Sequence, residues 1–399
     1  MGQGNTQLVF SEKGKEMIEG LMAVVSGRIR PIRRWPTFPL LIISIVLLFG
    51  CGGEPLKSSA SEPPRKTDNG PTHSSSRDIV TDRPLIADVA FKNTSFVWAT
   101  NIQGTKLYRT EDGGEGFQTV ATPFRQKTCI SFLDAKNGWA ITESTDRGRL
   151  WRTQDGGVTW KQISEFDQSN SDFQLTSVKQ LDFVDARSGW LVDLFGAWRT
   201  IDGGEHWTPV FKLENQPSAG QAVHAAFLDS ERARIATTKG IYLSNNGGQN
   251  WDFTNKDTDF SAIYFLNERT GWVVNSDANQ INGTDDGGNT WRRLSDVGSR
   301  VHLQSLYFMD QKDGWAVGLE VSESLGTSIA IKESVKQWTG IVLHTTDGGR
   351  TWSPMSSPED HAFSRIFFGD AKRGWLLGTK RLYRTVDGGR SWQTALDFE

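Results

Sequence analysis

An eight-residue motif occurs seven times in this chain, at Thr110 to Phe117, Thr153 to Trp160, Thr200 to Trp207, Ser244 to Trp251, Thr284 to Trp291, Thr345 to Trp352 and Thr385 to Trp392. Each copy reads Thr or Ser, a variable residue, Asp or Asn, Gly, Gly, two variable residues and an aromatic. The third place is held by Asp112, Asp155, Asp202, Asn246, Asp286, Asp347 and Asp387, at spacings of 43, 47, 44, 40, 61 and 40 residues. That period is the length of one four-stranded propeller blade. A single unit of this size cannot bury its apolar face alone, so the copies must stack on one another.

A second motif keeps phase with the first. Upstream of every copy lies an apolar-x-Phe run: Val89 to Phe91, Ile130 to Phe132, Leu181 to Phe183, Ala225 to Phe227, Ile263 to Phe265, Leu306 to Phe308 and Ile366 to Phe368. Gly-Trp follows at Trp139, Trp190, Trp272, Trp315 and Trp375, with Trp98 equivalent in the first unit and Ala233-Arg234 in place of the pair in the fourth. Each unit then reads as strand A, a turn, strand B from Gly-Trp, strand C, the Gly-Gly turn and strand D. The expected fold is all-β, a seven-bladed β-propeller of four-stranded antiparallel blades over 77–399. Composition agrees, because 41 Gly and 16 Trp beside only 37% hydrophobic residues suit turns and stacked aromatics better than a helical bundle.

The eight-residue motif has a structural chemistry of its own. Its Asp or Asn can accept nearby backbone N–H groups as Asx turns do, and the two glycines supply positive φ. A calcium loop would need alternating oxygen ligands and a closing Glu, which Asp285 to Gly288 lacks. His206, His224, His302, His344 and His361 show no paired ligand spacing, so no metal and no cofactor are expected.

The amino terminus reads as an address. Arg28, Arg30, Arg33 and Arg34 precede an apolar run from Phe38 to Gly50, too short for an ordinary spanning helix and suited to a secretory signal. Leu48-Phe49-Gly50-Cys51 resembles the bacterial lipobox, which implies lipidation of Cys51 and removal of residues 1–50. Translation from Met22 would give a signal of ordinary length. Residues 51–76, rich in Ser, Pro, Gly and Lys, read as a flexible tether. The expected location is extracytoplasmic, lipid-anchored to a bacterial membrane: periplasmic, at the cell surface or in a thylakoid lumen. A net charge of -3 gives no basic field for nucleic acid.

Two features point to binding. The position before each apolar-x-Phe run varies, as Asp88, Cys129, Gln180, His224, Ala262, Ser305 and Arg365. With strand A innermost these residues lie near the top of the channel, where they either select a partner or serve as polar strand ends. Cys129 reads as a small filler rather than a nucleophile. The 61-residue spacing comes from an insertion in the sixth unit, Gly318 to Gly340, which carries Glu320, Glu323, Lys332, Glu333, Lys336 and Trp338. Trp338 either contacts a partner or packs on the rim.

These repeats resemble the Asp-box, or bacterial neuraminidase repeat, superfamily. The alternation of Phe-x-Asp, Gly-Trp and Thr-x-Asp-Gly-Gly-x-x-Trp is most similar to the photosystem II assembly and stability factor family, and the likeness covers about residues 85 to 399. The resemblance implies a seven-bladed lumenal propeller, lipidated in cyanobacterial members, that binds a protein partner belonging to a membrane complex and catalyses nothing. The alternative is a carbohydrate-binding or glycoside-hydrolysing, sialidase-like propeller. Sialidase chemistry needs an arginine triad and a Tyr nucleophile supported by Glu, whereas Arg109, Arg152, Arg199 and Arg384 sit just before the boxes and all five tyrosines fall in repeat strands.

Overall fold

The computed structural model describes residues 86–143, 147–167, 178–194, 196–213, 220–255, 258–325 and 334–398. The segments expected to be an export signal and a tether, with Cys51, lie outside the described residues. Within the described residues 28 strands form seven four-stranded sheets, each antiparallel and ordered as in the sequence. The blades span 86–121, 128–167, 180–212, 222–254, 260–296, 301–354 and 365–397. The all-β, seven-bladed propeller expected from the repeats is the fold observed.

Strand A is innermost, and its Phe organises the core between blades. Trp98 of blade 1 stacks on Phe132 of blade 2 with centroids 3.9 Å apart, and Trp139 stacks on Phe183 at 3.9 Å. Trp272 on Phe308 and Trp315 on Phe368 repeat this at 3.5 and 3.8 Å. The box Trp of the same blade closes the other side edge-on, as Trp160 does to Phe132 and Trp352 to Phe308. A flat ring needs a bare backbone beside it. Gly138 pairs with Phe132 across the sheet, and a Cβ on Gly138 would lie 2.5 Å from that ring.

The Trp column is also a polar strut. Trp98, Trp139 and Trp272 each donate their indole N–H to the carbonyl of the first box glycine in the next blade, Gly156, Gly203 and Gly348, at 2.9 to 3.0 Å. Burial of an aromatic with its one donor satisfied contributes about 2–3 kcal/mol per contact. In blade 4 Arg234 takes the place of Trp and does both jobs. Its guanidinium lies over Phe265, 5.7 Å from the centroid, and its Nε donates to Gly287 O at 2.8 Å.

The ring closes without a shared sheet. Blade 1 uses β1 (Ile86–Phe91) to β4 (Gln118–Ala121), and blade 7 uses β25 (Arg365–Phe368) to β28 (Gln393–Asp397). Across this seam Arg365 pairs with Asp88 at 3.0 Å, Arg384 with Glu115 at 2.6 Å, and Phe91 stacks on Phe367 at 5.5 Å.

In blade 6 the insertion takes the form of a lengthened hairpin. Strand B continues as β22 (Gly314–Leu325) and strand C as β23 (Ser334–Thr345), paired without a break from Gly314–Thr345 to Leu325–Ser334. The two lengthened strands satisfy the N–H and C=O groups that face each other, which an irregular loop would have to leave to water.

Candidate functional site

The boxes sit at the turns between strands C and D, where all seven have one bonding plan. In blade 2, Thr153 donates its hydroxyl to Asp155 Oδ1 at 2.8 Å while accepting Gly157 N–H at 2.8 Å. Asp155 in turn accepts Thr159 N–H and the Thr159 hydroxyl. Asp112, Asp202, Asn246, Asp286, Asp347 and Asp387 accept the amide four residues on in the same way. The first glycine of each pair donates to the A–B turn of its own blade, as Gly156 does to Lys136 O.

The Thr351 hydroxyl holds the Asp347 carboxyl down at about 2, and Ser391 does the same for Asp387. Burial opposes ionisation of Asp155, Asp202 and Asp286, but their hydrogen bonds outweigh it and these also fall to about 2. In the third box His206 Nδ1 lies 2.7 Å from Asp202 Oδ2, where other boxes use a hydroxyl. Glu205 stands beside them, with the three ligand atoms within 4.8 Å of one another. The His-pair criterion applied to the sequence does not detect this grouping, because its acidic members belong to the box.

The arginines before the boxes brace the neighbouring blade. Arg109 donates to Asp155 O and Gly156 O, and Arg384 to Gly113 O. Arg199 reaches Gly247 O, and Arg152 and Arg199 lie over Trp139 and Trp190 of their own blades. Arg109, Arg199 and Arg384 are therefore part of the blade-to-blade architecture.

The variable inner-strand positions face the neighbouring blade's backbone. Asp88 Oδ2 accepts Ile130 N–H at 2.9 Å, Gln180 Oε1 accepts Ala225 N–H at 3.2 Å, and Arg365 donates to Val89 O at 3.3 Å. Adjacent A strands do not pair as a sheet, so these side chains supply the hydrogen bonds that strand pairing would have given. Cys129 and Ala262 are buried, and burial pushes the Cys129 thiol up to about 12. Ser305 is partly exposed at a bulge in its strand. His224 Nδ1 has no partner among the described residues, and burial, then the Arg365 charge, push this ring down to about 4.

Two positions further along, the inner strands divide the channel. Tyr264, Tyr307 and Phe367 line one arc, 5.4 and 5.2 Å between centroids. Tyr264 Oη donates to Phe308 O at 2.8 Å and Tyr307 Oη to Phe368 O. Burial raises both phenols, Tyr307 to about 12. Phenols held this way are poor nucleophiles at neutral pH. The opposite arc carries small or acidic residues, Ala90, Ser131, Asp182 and Ala226, and there burial lifts Asp182 to about 6 against the pull of Lys92 and Arg365. No sequence rule singles out Asp182, since it occupies the variable middle place of apolar-x-Phe.

Trp338 stands on the lengthened hairpin of blade 6 with 50% of its surface exposed. Its cross-strand neighbour is Val321. The side chains of Glu323 and Lys336, and residues Lys332 and Glu333, lie outside the described set.

Residues 117–262 match the model of the family described as photosynthesis system II assembly factor YCF48. No curated protein matches the chain by sequence. Among solved structures, one described as YCF48 bound to D1 peptide is 18% identical with a TM-score of 0.57, covering 76% of this chain and 94% of that one. YCF48 from Cyanidioschyzon merolae is 17% identical with a TM-score of 0.58, covering 76% and 96%. A xyloglucanase from Xanthomonas campestris is 13% identical with a TM-score of 0.59, covering 79% of this chain but 55% of its own. At these identities the structural likenesses establish the fold. Together with the match over 117–262, the repeats make this chain an Asp-box propeller resembling the photosystem II assembly factor.

Proposed function

We propose that the protein is an exported, membrane-tethered propeller that acts as a non-catalytic protein-binding scaffold, serving the assembly or stability of a membrane complex. The observation that carries this reading is the family match over 117–262, alongside a relative of the same fold described as bound to a peptide. Arg109, Arg199 and Arg384, and Tyr264 and Tyr307, are bonded to backbone in neighbouring blades, which weighs against the enzymatic alternative. Trp338, and the channel-mouth residues Asp88, Gln180, His224, Ser305 and Arg365, are the candidate contacts. Of these, Trp338, Ser305 and Arg365 retain exposed surface, and His224 retains a ring nitrogen with no partner among the described residues.

The test is affinity capture of the full chain from its own membranes after mild cross-linking. Subunits of one membrane complex should be recovered. Recovery of none, together with hydrolysis of sialosides or β-glucans by the purified protein, would overturn the scaffold. The tether is tested separately: Cys51→Ser should release the protein from the membrane fraction or leave an unprocessed precursor. Unchanged processing and lipid labelling would remove the anchor from the proposal.

A further inference from the structure

The middle residue of each apolar-x-Phe run meets the central channel. The first place of the run is buried in every blade, whereas the middle place keeps part of its surface in all but Ser131. Over blades 5 to 7 these residues are Tyr264, Tyr307 and Phe367, with centroids 5.4 and 5.2 Å apart. Tyr264 and Tyr307 reach sideways to bond a carbonyl of the following blade, so their rings lie along the wall and turn their faces to the channel.

Asp182 stands on the other side of the channel. Among the described residues its carboxylate bonds only the Ser131 hydroxyl, which itself accepts Phe183 N–H at 2.9 Å, and no Lys, Arg or His pairs with it. Two cations act on it from a distance. Arg365 is engaged by Asp88 at 3.0 Å and by Val89 O at 3.3 Å, and Lys92 is exposed beyond the end of β1, where water screens it. The His224 ring is neutral at neutral pH and adds no charge. A carboxylate taken out of water without a partner is unfavourable, and burial raises this one to about 6. Ser131 and Ala226, in the blades on either side, are too small to cover it.

We propose that this level of the channel binds an alkylammonium ion, with its charge on the Asp182 carboxylate and its alkyl carbons against the ring faces of Tyr264, Tyr307 and Phe367. Such a site is separate from the scaffold reading and stands or falls without it. The face of an aromatic ring carries the negative side of its quadrupole and attracts a cation. The same faces take the alkyl carbons out of water. An anion would be repelled by Asp182. A neutral molecule would dry the carboxylate without pairing it, which costs free energy. A bare metal ion would meet a single carboxylate among the middle-place residues, too few ligands to replace its water.

The probe is butylammonium chloride, titrated calorimetrically into the full chain in non-ionic detergent at low salt and about pH 8, where Asp182 is ionised. One saturable site of millimolar affinity is expected, and butanol, which has the same carbon chain without the charge, should not bind. Asp182→Asn keeps the shape of the side chain and should weaken binding about tenfold. A melting temperature at or above that of the unaltered chain shows that its ring of blades is intact. Tyr307→Leu should weaken binding several-fold, and Tyr307→Phe, which keeps the ring face, by less. Absence of saturable binding, equal binding of butanol, or equal binding by Asp182→Asn would overturn the site. Lysine capped with acetyl and methylamide groups identifies the source of the ammonium. Its binding alongside butylammonium assigns the site to a lysine side chain of a partner, and binding of butylammonium alone assigns it to a free amine. If butylammonium fails to bind while the full chain still recovers its membrane complex, the channel site falls and the scaffold stands. If it binds while no complex is recovered, the scaffold falls and the channel site stands.

Discussion

The seam between blades 5 and 6 and the seam between blades 7 and 1 perform one task by different means. At the first, Trp272 lies flat on Phe308 at 3.5 Å and donates to Gly348 O, so stacking and a hydrogen bond come from one side chain. At the second, Trp375 meets Phe117 edge-on at 6.3 Å, and a nearly buried Asp88 is bound by Arg365 and by the N–H groups of Val89 and Ile130. The seam between blades 5 and 6 joins residues close in sequence and relies on apolar area, which is insensitive to pH and salt. The closing seam joins residues more than 270 positions apart and adds directional charge to an apolar cluster of its own. Apolar stacking sets the strength of each seam, while the ionic latch defines which blade meets which.

Removing the stacked indole should do the most damage. Trp272→Ala deletes a large buried side chain and leaves a cavity against Phe308, and should cost about 3–5 kcal/mol in denaturant unfolding. A loss below about 1 kcal/mol would mean that stacking is not the main support of this seam. Next comes the latch. Asp88→Ala strands the Arg365 guanidinium and the Ile130 amide and should cost about 2–3 kcal/mol, smaller than a fully buried pair because Arg365 is 40% exposed. Equal losses at high and low salt would show that its hydrogen bonds, not its charge, matter.

A smaller effect depends on pH. Burial lifts Asp182 to about 6 from its ordinary 3.8, so the folded state holds its proton more tightly and the ionised form lowers stability above pH 6. Asp182→Asn should stabilise the protein by about 1–2 kcal/mol near pH 8 and by nothing below about pH 3.5, read from melting temperatures. The Asp boxes carry the opposite sign. Their carboxyls are held at about 2, so their contribution is complete above 3.8 and is lost as pH falls through 2. Smallest of all is Arg234→Trp, which restores the column found at other internal seams. It should change stability by less than about 1 kcal/mol, whereas Arg234→Ala, which loses the contacts to Gly287 O and Ser244 O, should cost more.

Much of this architecture was legible before any coordinates. The blade count, the strand order and the role of the box Asp follow from local rules, because Asx capping, positive-φ glycines and alternating burial act within a few residues. The apolar-x-Phe and Gly-Trp runs showed that aromatics make the core. They did not show that each Trp serves the next blade rather than its own, since that contact spans 34 residues between Trp98 and Phe132 and 36 between Trp272 and Phe308. Arg234 looked like a lost motif because a cation over a ring and an indole over a ring share no residue type.

The binding features were less legible for the same reason. Trp338 stood out in the sequence as the one tryptophan of the propeller with no place in the repeat. Its setting on a hairpin that lengthens two strands of blade 6 did not, because that depends on the register of one strand against the other. The variable inner positions looked like a ring of contacts, and in three dimensions Asp88, Gln180 and Arg365 bond the backbone of the adjacent blade. Short-range hydrogen bonding and hydrophobic period are written into the order of residues, and they determined the blades. Electrostatic environment depends on groups brought together from different blades, so only the closed ring assigned Asp182 its raised pKa and Asp88 its latch.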